Sequence, residues 1–246
     1  MTDGQNTPGV DGDTLSARVA EVRRRIAAAC EQAGRDPAVV RLLPVSKTRP
    51  VSEMLAVAQA SGLDTFGENR PQELAAKAEA LPALRFALIG HLQTNKAALA
   101  ARFAAEFQAL DSPRLAAALD RHLQAAGHGL DVLIEVNTSG ETTKHGLAPS
   151  EVGAFARGLA PMASLRVRGL MTVAANTADV GVVDRCFATL RDLRDRLRDD
   201  GVPGADWAEL SMGMSGDYER AIINGSTTVR VGTAIFGART SAPTGP

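Results

Sequence analysis

Leu15, Val19, Val22, Ile26 and Cys30 recur at intervals of three and four residues with Arg23 to Arg25 between them, which predicts an amphipathic helix ending near Gly34. Beyond that point the period changes. Short apolar or β-branched runs stand at 40–46, 63–67, 85–90, 107–110, 131–137, 165–173, 208–211 and 228–231, and helical patterns separate most of them. The clearest of those helices sets Val183, Phe187, Leu190, Leu193 and Leu197 on one face. Arg and Asp fill the other, a solvated surface with i,i+4 pairs.

Strands that alternate with helices pair in parallel through right-handed crossovers. Eight of them are about the number that closes a barrel. The predicted fold is therefore α/β, a single (β/α)8 TIM-type barrel with an additional N-terminal helix. A doubly wound open sheet is the alternative, but no dinucleotide-binding glycine fingerprint follows the first strand. Residues 1–12, rich in Gly, Asn, Asp and Thr, and residues 240–246 read as disordered tails, which leaves 13–239 as one barrel domain.

Composition narrows the function. At 246 residues and 45% apolar, the chain can bury one large core. With 27 basic against 28 acidic residues and a formal charge of −1, it has no global field to gather nucleic acid or an anionic membrane, so a small-molecule ligand is expected. Cys30 and Cys186 lie far apart in helical patterns and read as reduced core thiols, not as a disulfide or a metal site. No signal-peptide pattern opens the chain and no apolar run is long enough to span a bilayer, so a cytoplasmic protein is expected. The outward charge of the helices permits a monomer, which is the expected state.

The candidate chemistry begins at Val40-Arg-Leu-Leu-Pro-Val-Ser-Lys47-Thr-Arg-Pro50, where an apolar strand delivers a lysine just as the chain breaks. Partial burial beside other cations disfavours an ammonium and frees the amine to attack a carbonyl, forming a Schiff base. On this segment alone, a lysine that merely ends a strand and solvates the turn is the favoured reading. In a barrel, however, the C-terminal strand ends share one face and bring distant groups together. The last strand ends at Gly232 and Thr233. Glycine there allows close backbone approach to an anion, threonine adds a hydroxyl and an N–H, and a short helical turn would add oriented amides. The preceding strand end, Leu210-Ser211-Met-Gly213-Met-Ser215-Gly216, is also rich in Gly and Ser. Two loops converging on one phosphate is one reading and two ordinary turns is the other. Arg230 either projects towards the barrel mouth or pairs with a carboxylate.

Taken in order, Pro-Val-Ser-Lys47-Thr-Arg-Pro, Phe66-Gly-Glu-Asn69, Ile89-Gly-His-Leu-Gln93-Thr-Asn95-Lys96, Gly169-Leu-Met-Thr172, Ser211-Met-Gly-Met-Ser215 and Gly-Ser-Thr-Thr-Val-Arg230-Val-Gly-Thr-Ala-Ile-Phe-Gly-Ala-Arg239 closely resemble the pyridoxal phosphate homeostasis proteins. The match runs from about the first helix to Arg239. One departure is Phe86-Ala87-Leu88-Ile89-Gly90, where that family usually has an aromatic–His pair before Ile-Gly, so no role of that histidine carries over.

The resemblance implies that Lys47 holds pyridoxal 5′-phosphate as an internal aldimine, in a barrel similar to the N-terminal barrel of alanine racemase. It implies phosphate contacts from the Ser211–Ser215 loop, Gly232 and Thr233. Arg230 matches an arginine that faces the pyridine nitrogen; a guanidinium offers only donors, so it would keep that nitrogen deprotonated and weaken the ring as an electron sink. Asn69 would line the pocket or hydrogen-bond the ring, and Met171 would pack against it. No metal ligand and no catalytic acid or base is assigned. Alanine racemases recruit a tyrosine from a second domain, whereas this chain has only Tyr218.

The remaining polar groups have ordinary explanations. Gln93-Thr94-Asn95-Lys96 either binds the ligand or caps the next helix, with Thr94 as N-cap. His91 reads as a rim residue, and Glu135, Asn137, Lys144 and His145 as solvated loop residues. The expected function is a binding protein that holds pyridoxal phosphate and passes it to apoenzymes in intracellular homeostasis, with little or no catalysis. The alternatives are a pyridoxal phosphate-dependent racemase using a residue near Lys47 or Tyr218, and a cofactor-free Schiff-base aldolase acting on a phosphorylated sugar.

Overall fold

The structure is a computed structural model and describes residues 12–238. Both predicted tails, except Gly12, fall outside those residues, as does Arg239. Nine α-helices and eight strands follow in alternation among the described residues. They are α1 (Gly12–Gln32), β1 (Arg41–Pro44), α2 (Val51–Ser61), β2 (Thr65–Glu68), α3 (Pro71–Ala80), β3 (Arg85–Leu88), α4 (Ala97–Phe103) and β4 (Glu106–Leu110). The second half comprises α5 (Pro113–Ala126), β5 (Leu130–Glu135), α6 (Val152–Leu159), β6 (Leu165–Met171), α7 (Val180–Asp199), β7 (Ala205–Ser211), α8 (Tyr218–Ile223), β8 (Thr228–Val231) and α9 (Thr233–Phe236). Each of the eight predicted runs overlaps a strand. Gly12, assigned above to the tail, opens α1 instead.

All strand pairs are parallel, and the sheet runs β1-β8-β7-β6-β5-β4-β3-β2. A bridge between Val45 and Gly67 joins its two edges, reinforced by the Ser46 N–H donating to the Gly67 carbonyl at 3.0 Å. The eight strands thus form a TIM-type barrel whose seam closes beside Lys47. Helix α1 packs against α2, α8 and α9 and buries Leu15, Val19, Val22, Ile26 and Cys30, the face the spacing predicted. Cys30 and Cys186 are buried free thiols. No helix among the described residues is long and apolar enough to cross a membrane.

The apolar core is continuous from Leu15 to Phe236, but the barrel lumen carries a polar chain. Arg230 on β8 donates to Ser211 Oγ on β7 at 2.7 Å, and Ser211 donates to Gln108 Oε1 on β4 at 2.7 Å. All three side chains are buried. Buried polar groups are tolerated when they satisfy one another, and this chain ties strands across the lumen while doing so.

Candidate functional site

Lys47 follows β1 at the C-terminal mouth. Its turn is closed by the Arg49 N–H donating to the Ser46 carbonyl at 2.9 Å, with Thr48 at φ 64°. A β-branched residue with positive φ is a strained conformation that survives only when its surroundings hold it. The restraint is visible: the Thr48 N–H donates to Glu73 at 2.6 Å. Lys77 on α3 donates to Glu73 at 2.8 Å, to Glu68 at 2.7 Å and to the Ser46 carbonyl at 2.7 Å. Ser46 Oγ completes the set with a 2.6 Å bond to Glu68. Both neighbours of Lys47 are therefore fixed by one network, buried at Lys77, Glu68 and Ser46 and reaching the surface at Glu73 and Thr48. Burial pushes the Glu68 carboxyl up, against the opposing pull of Lys77 and Ser46.

Lys47 lines a cavity of about 360 Å³ together with Arg49, Asn69, Arg230, Ser215, Gly232 and Thr233, while Val45, Ile89, Val173 and Met214 add apolar wall. That size lies within the range of small-ligand pockets. The lining includes three cationic residues and no Asp or Glu, the donor set of an anion site. On the phosphate side expected above, the Gly232 and Ala234 N–H groups converge on Ser215 Oγ at 3.2 and 3.3 Å. Accepting from both leaves the Ser215 hydroxyl with its own proton to donate. Helix α9 begins at Thr233, as the sequence predicted.

Two glycines set the shape of the mouth. A Cβ on Gly90 would lie 2.4 Å from the Asn69 carbonyl oxygen, so only glycine lets the end of β3 approach Asn69. Gly213, at φ 96°, would place a Cβ 2.6 Å from that of Ala221, so it keeps the β7–α8 loop against α8.

Arg230 is a lining residue with a buried guanidinium. It also donates to the Thr172 carbonyl at 2.8 Å, and no carboxylate lies within salt-bridge distance among the described residues. Burial pushes its pKa down to about 10, still cationic at neutral pH. The carboxylate pairing weighed for Arg230 is not formed.

Of the expected site residues, Lys47, Asn69, Ser215, Arg230, Gly232 and Thr233 meet in the cavity lining. Met171 and Ser211 are not among the lining residues. Met171 is buried at the end of β6, and Val173 lines the cavity two residues further on. Ser211 turns inward to Arg230 and Gln108, so it supports the site from beneath. Thr94 opens a 3₁₀ turn and no side chain caps α4, whose N-cap position is Lys96; the expected Thr94 cap is absent. Tyr218 is buried and also lies outside the lining, with Arg25 over its ring at 5.3 Å and its phenol pushed up by burial. It is not placed to exchange protons in the cavity. The lining residues Arg49, Ile89, Val173 and Met214, and the Glu68, Glu73 and Lys77 support, were not singled out by sequence reasoning. Glu73 and Lys77 do carry a signal, an acidic and a basic residue four apart.

Known proteins are similar to this chain in sequence and fold. The family model for the alanine racemase N-terminal domain matches residues 17–240. A pyridoxal phosphate homeostasis protein of Pseudomonas aeruginosa is 41% identical over 228 residues, covering 92% of this chain and 96% of that protein. A crystal structure of an unknown protein from Bifidobacterium adolescentis is 41% identical with a TM-score of 0.88, covering 93% of this chain and 98% of the other. PipY of Synechococcus elongatus with PLP bound is 31% identical with a TM-score of 0.79, covering 91% of this chain and all (100%) of PipY. The chain belongs to the pyridoxal phosphate homeostasis proteins, within the alanine racemase N-terminal domain family.

Proposed function

We propose that this chain binds pyridoxal 5′-phosphate at the barrel mouth and serves in its homeostasis and delivery to apoenzymes, as a cytoplasmic monomer with little or no catalytic turnover. The observation that carries this reading is one cavity lined by a lysine, two arginines, two hydroxyls and two glycines, with no carboxylate among its described residues. Pyridoxal phosphate supplies an aldehyde that condenses with a primary amine, together with a phosphate dianion. Lys47 offers that amine on a turn whose two flanking residues are fixed. Ser215, Gly232 and Thr233 offer hydroxyl and backbone donors to the phosphate. Arg230 offers donors only, so a ring nitrogen placed against it stays unprotonated and a poor electron sink. Asn69 lines the same cavity, while Met171 and Ser211 support it from the interior. With Tyr218 outside the lining, the described lining residues offer no Tyr, His, Asp or Glu as the second acid or base of an efficient racemisation, which supports the non-catalytic reading.

The test is the visible spectrum of the purified protein with added pyridoxal phosphate, followed by borohydride reduction and peptide mapping, for wild type and Lys47→Ala. A band with the reduced adduct on Lys47, lost in the variant, is expected, with no racemisation of added amino acids. Absence of the band, or an adduct elsewhere, overturns the binding reading; Lys47-dependent turnover overturns the non-catalytic one.

A further inference from the structure

Beyond the cavity lining, three polar side chains from distant parts of the chain meet at the same end of the barrel. His91 follows β3, Asp111 follows β4 directly, and His145 lies in the loop between β5 and α6. Their potential ligand atoms all lie within 4.8 Å of one another. We propose that His91, Asp111 and His145 form a binding site for one divalent transition-metal ion of the zinc class.

The geometry favours an ion over a simple pair. His91 Nδ1 stands 3.4 Å from Asp111 Oδ2, longer than the roughly 2.7–2.9 Å of a charge-assisted hydrogen bond. Two ligand atoms each about 2.1 Å from a tetrahedral ion are themselves about 3.4 Å apart. The His91 and His145 rings are stacked, with centroids 3.9 Å apart and planes 7° from parallel, so both imidazoles are already gathered at one place. Coordination would tilt the two rings out of their parallel stack so that both in-plane lone pairs meet at one ion, within a cluster whose ligand atoms already lie within 4.8 Å. Two imidazoles and one carboxylate suit zinc and its neighbours, and three protein ligands leave a coordination position for water or a ligand.

The loop is built to hold His145 there. Lys144 donates to the Ala174 carbonyl at 2.7 Å on one side of it. On the other, Leu147 bridges Val136, and the Asn137 N–H donates to the Leu147 carbonyl at 2.9 Å. Between them Gly146, at φ 103°, would set a Cβ 2.8 Å from the Asn137 nitrogen, so glycine is needed for the loop to fold back this closely. Asp111 is largely enclosed, with 13% of its side chain exposed, while both histidines are exposed and open to an arriving ion. The site shares no residue with the lining of the Lys47 cavity.

Calorimetric titration of the full chain with zinc chloride alone, without pyridoxal phosphate, tests the proposal. Wild type and the control His128→Ala are expected to bind one ion alike, while His91→Ala, His145→Ala and Asp111→Asn each weaken it at least ten-fold. Cobalt(II) should give a visible spectrum in wild type that the His91→Ala/His145→Ala variant lacks. Thermal unfolding of the metal-free histidine variants should match wild type, since both side chains are exposed. Zinc held no more tightly by wild type than by the double variant, or binding that His128→Ala removes equally, overturns the site.

Discussion

Lys77 places its ammonium 2.7 Å from the carboxylate of Glu68, and both side chains are buried. The pair lies beneath the turn that carries Lys47, because the same ammonium reaches the Ser46 carbonyl and, through Glu73, the backbone of Thr48. A long flexible lysine is thus presented from a rigid base, and the accuracy with which a side chain is positioned depends on such support.

Lys77→Met should cost about 3–5 kcal/mol, because it leaves the Glu68 charge buried without its partner. Replacing both, as Glu68→Leu with Lys77→Met, should cost less than the single change, since no unpaired charge remains. Urea denaturation of the three proteins checks this. A double variant that loses at least as much as Lys77→Met would show that the ion pair is not what makes the single change costly.

Thr48→Gly should raise stability slightly. The φ of 64° costs a β-branched residue about 1–3 kcal/mol, and glycine removes that cost while adding about 0.5–1 kcal/mol of unfolded-state entropy. The Glu73 bond uses the backbone N–H and survives the change. A melting temperature below that of wild type would mean that the threonine conformation carries no net strain.

The barrel was legible because parallel strands covered on both faces read as apolar runs, and all eight stood out between helical patterns. Lys47 was legible because it interrupts such a run. The site was harder to read where a strand ends inside a motif. Ser211 and Ser215 stand in one Gly/Ser-rich segment, yet β7 ends at Ser211 and turns it into the lumen, while Ser215 lies in the loop that faces the cavity. Met171 and Val173 separate in the same way at the end of β6. The Lys77 network was hidden for another reason. A Glu four residues before a Lys on a helix usually marks a solvated surface, and a buried lysine runs against the general tendency of its type. Only the fold brings Glu68 and Ser46 to it. The His91, Asp111 and His145 cluster was likewise scattered across three loops.

Ser215→Ala should discriminate between phosphorylated and unphosphorylated ligands. The variant removes a hydroxyl that gathers the Gly232 and Ala234 N–H groups and leaves Lys47 untouched. Loss of one hydrogen bond to a charged group is worth about 1.5–3 kcal/mol, so affinity for pyridoxal phosphate should fall at least about ten-fold. Affinity for pyridoxal, which lacks the phosphate, should stay as it was. Equal losses for the two compounds in a spectral titration would place the phosphate elsewhere.

Glu135→Gln should stabilise the protein in a pH-dependent way. The carboxyl is buried, its Oε2 has no hydrogen-bond partner among the described residues, and burial with Asp111 nearby pushes its pKa from 4.5 to about 7, against the pull of Arg230. Between those values the folded chain binds more protons at this group than the unfolded chain does, so its contribution to stability falls as pH rises through the window. Above about pH 7 the cost is complete, on the order of 3 kcal/mol. Glutamine keeps the shape and cannot ionise. The variant should therefore melt higher than wild type at about pH 8, and the difference should shrink as pH falls towards about 5. A difference that stays constant across that range would mean that Glu135 does not change protonation there.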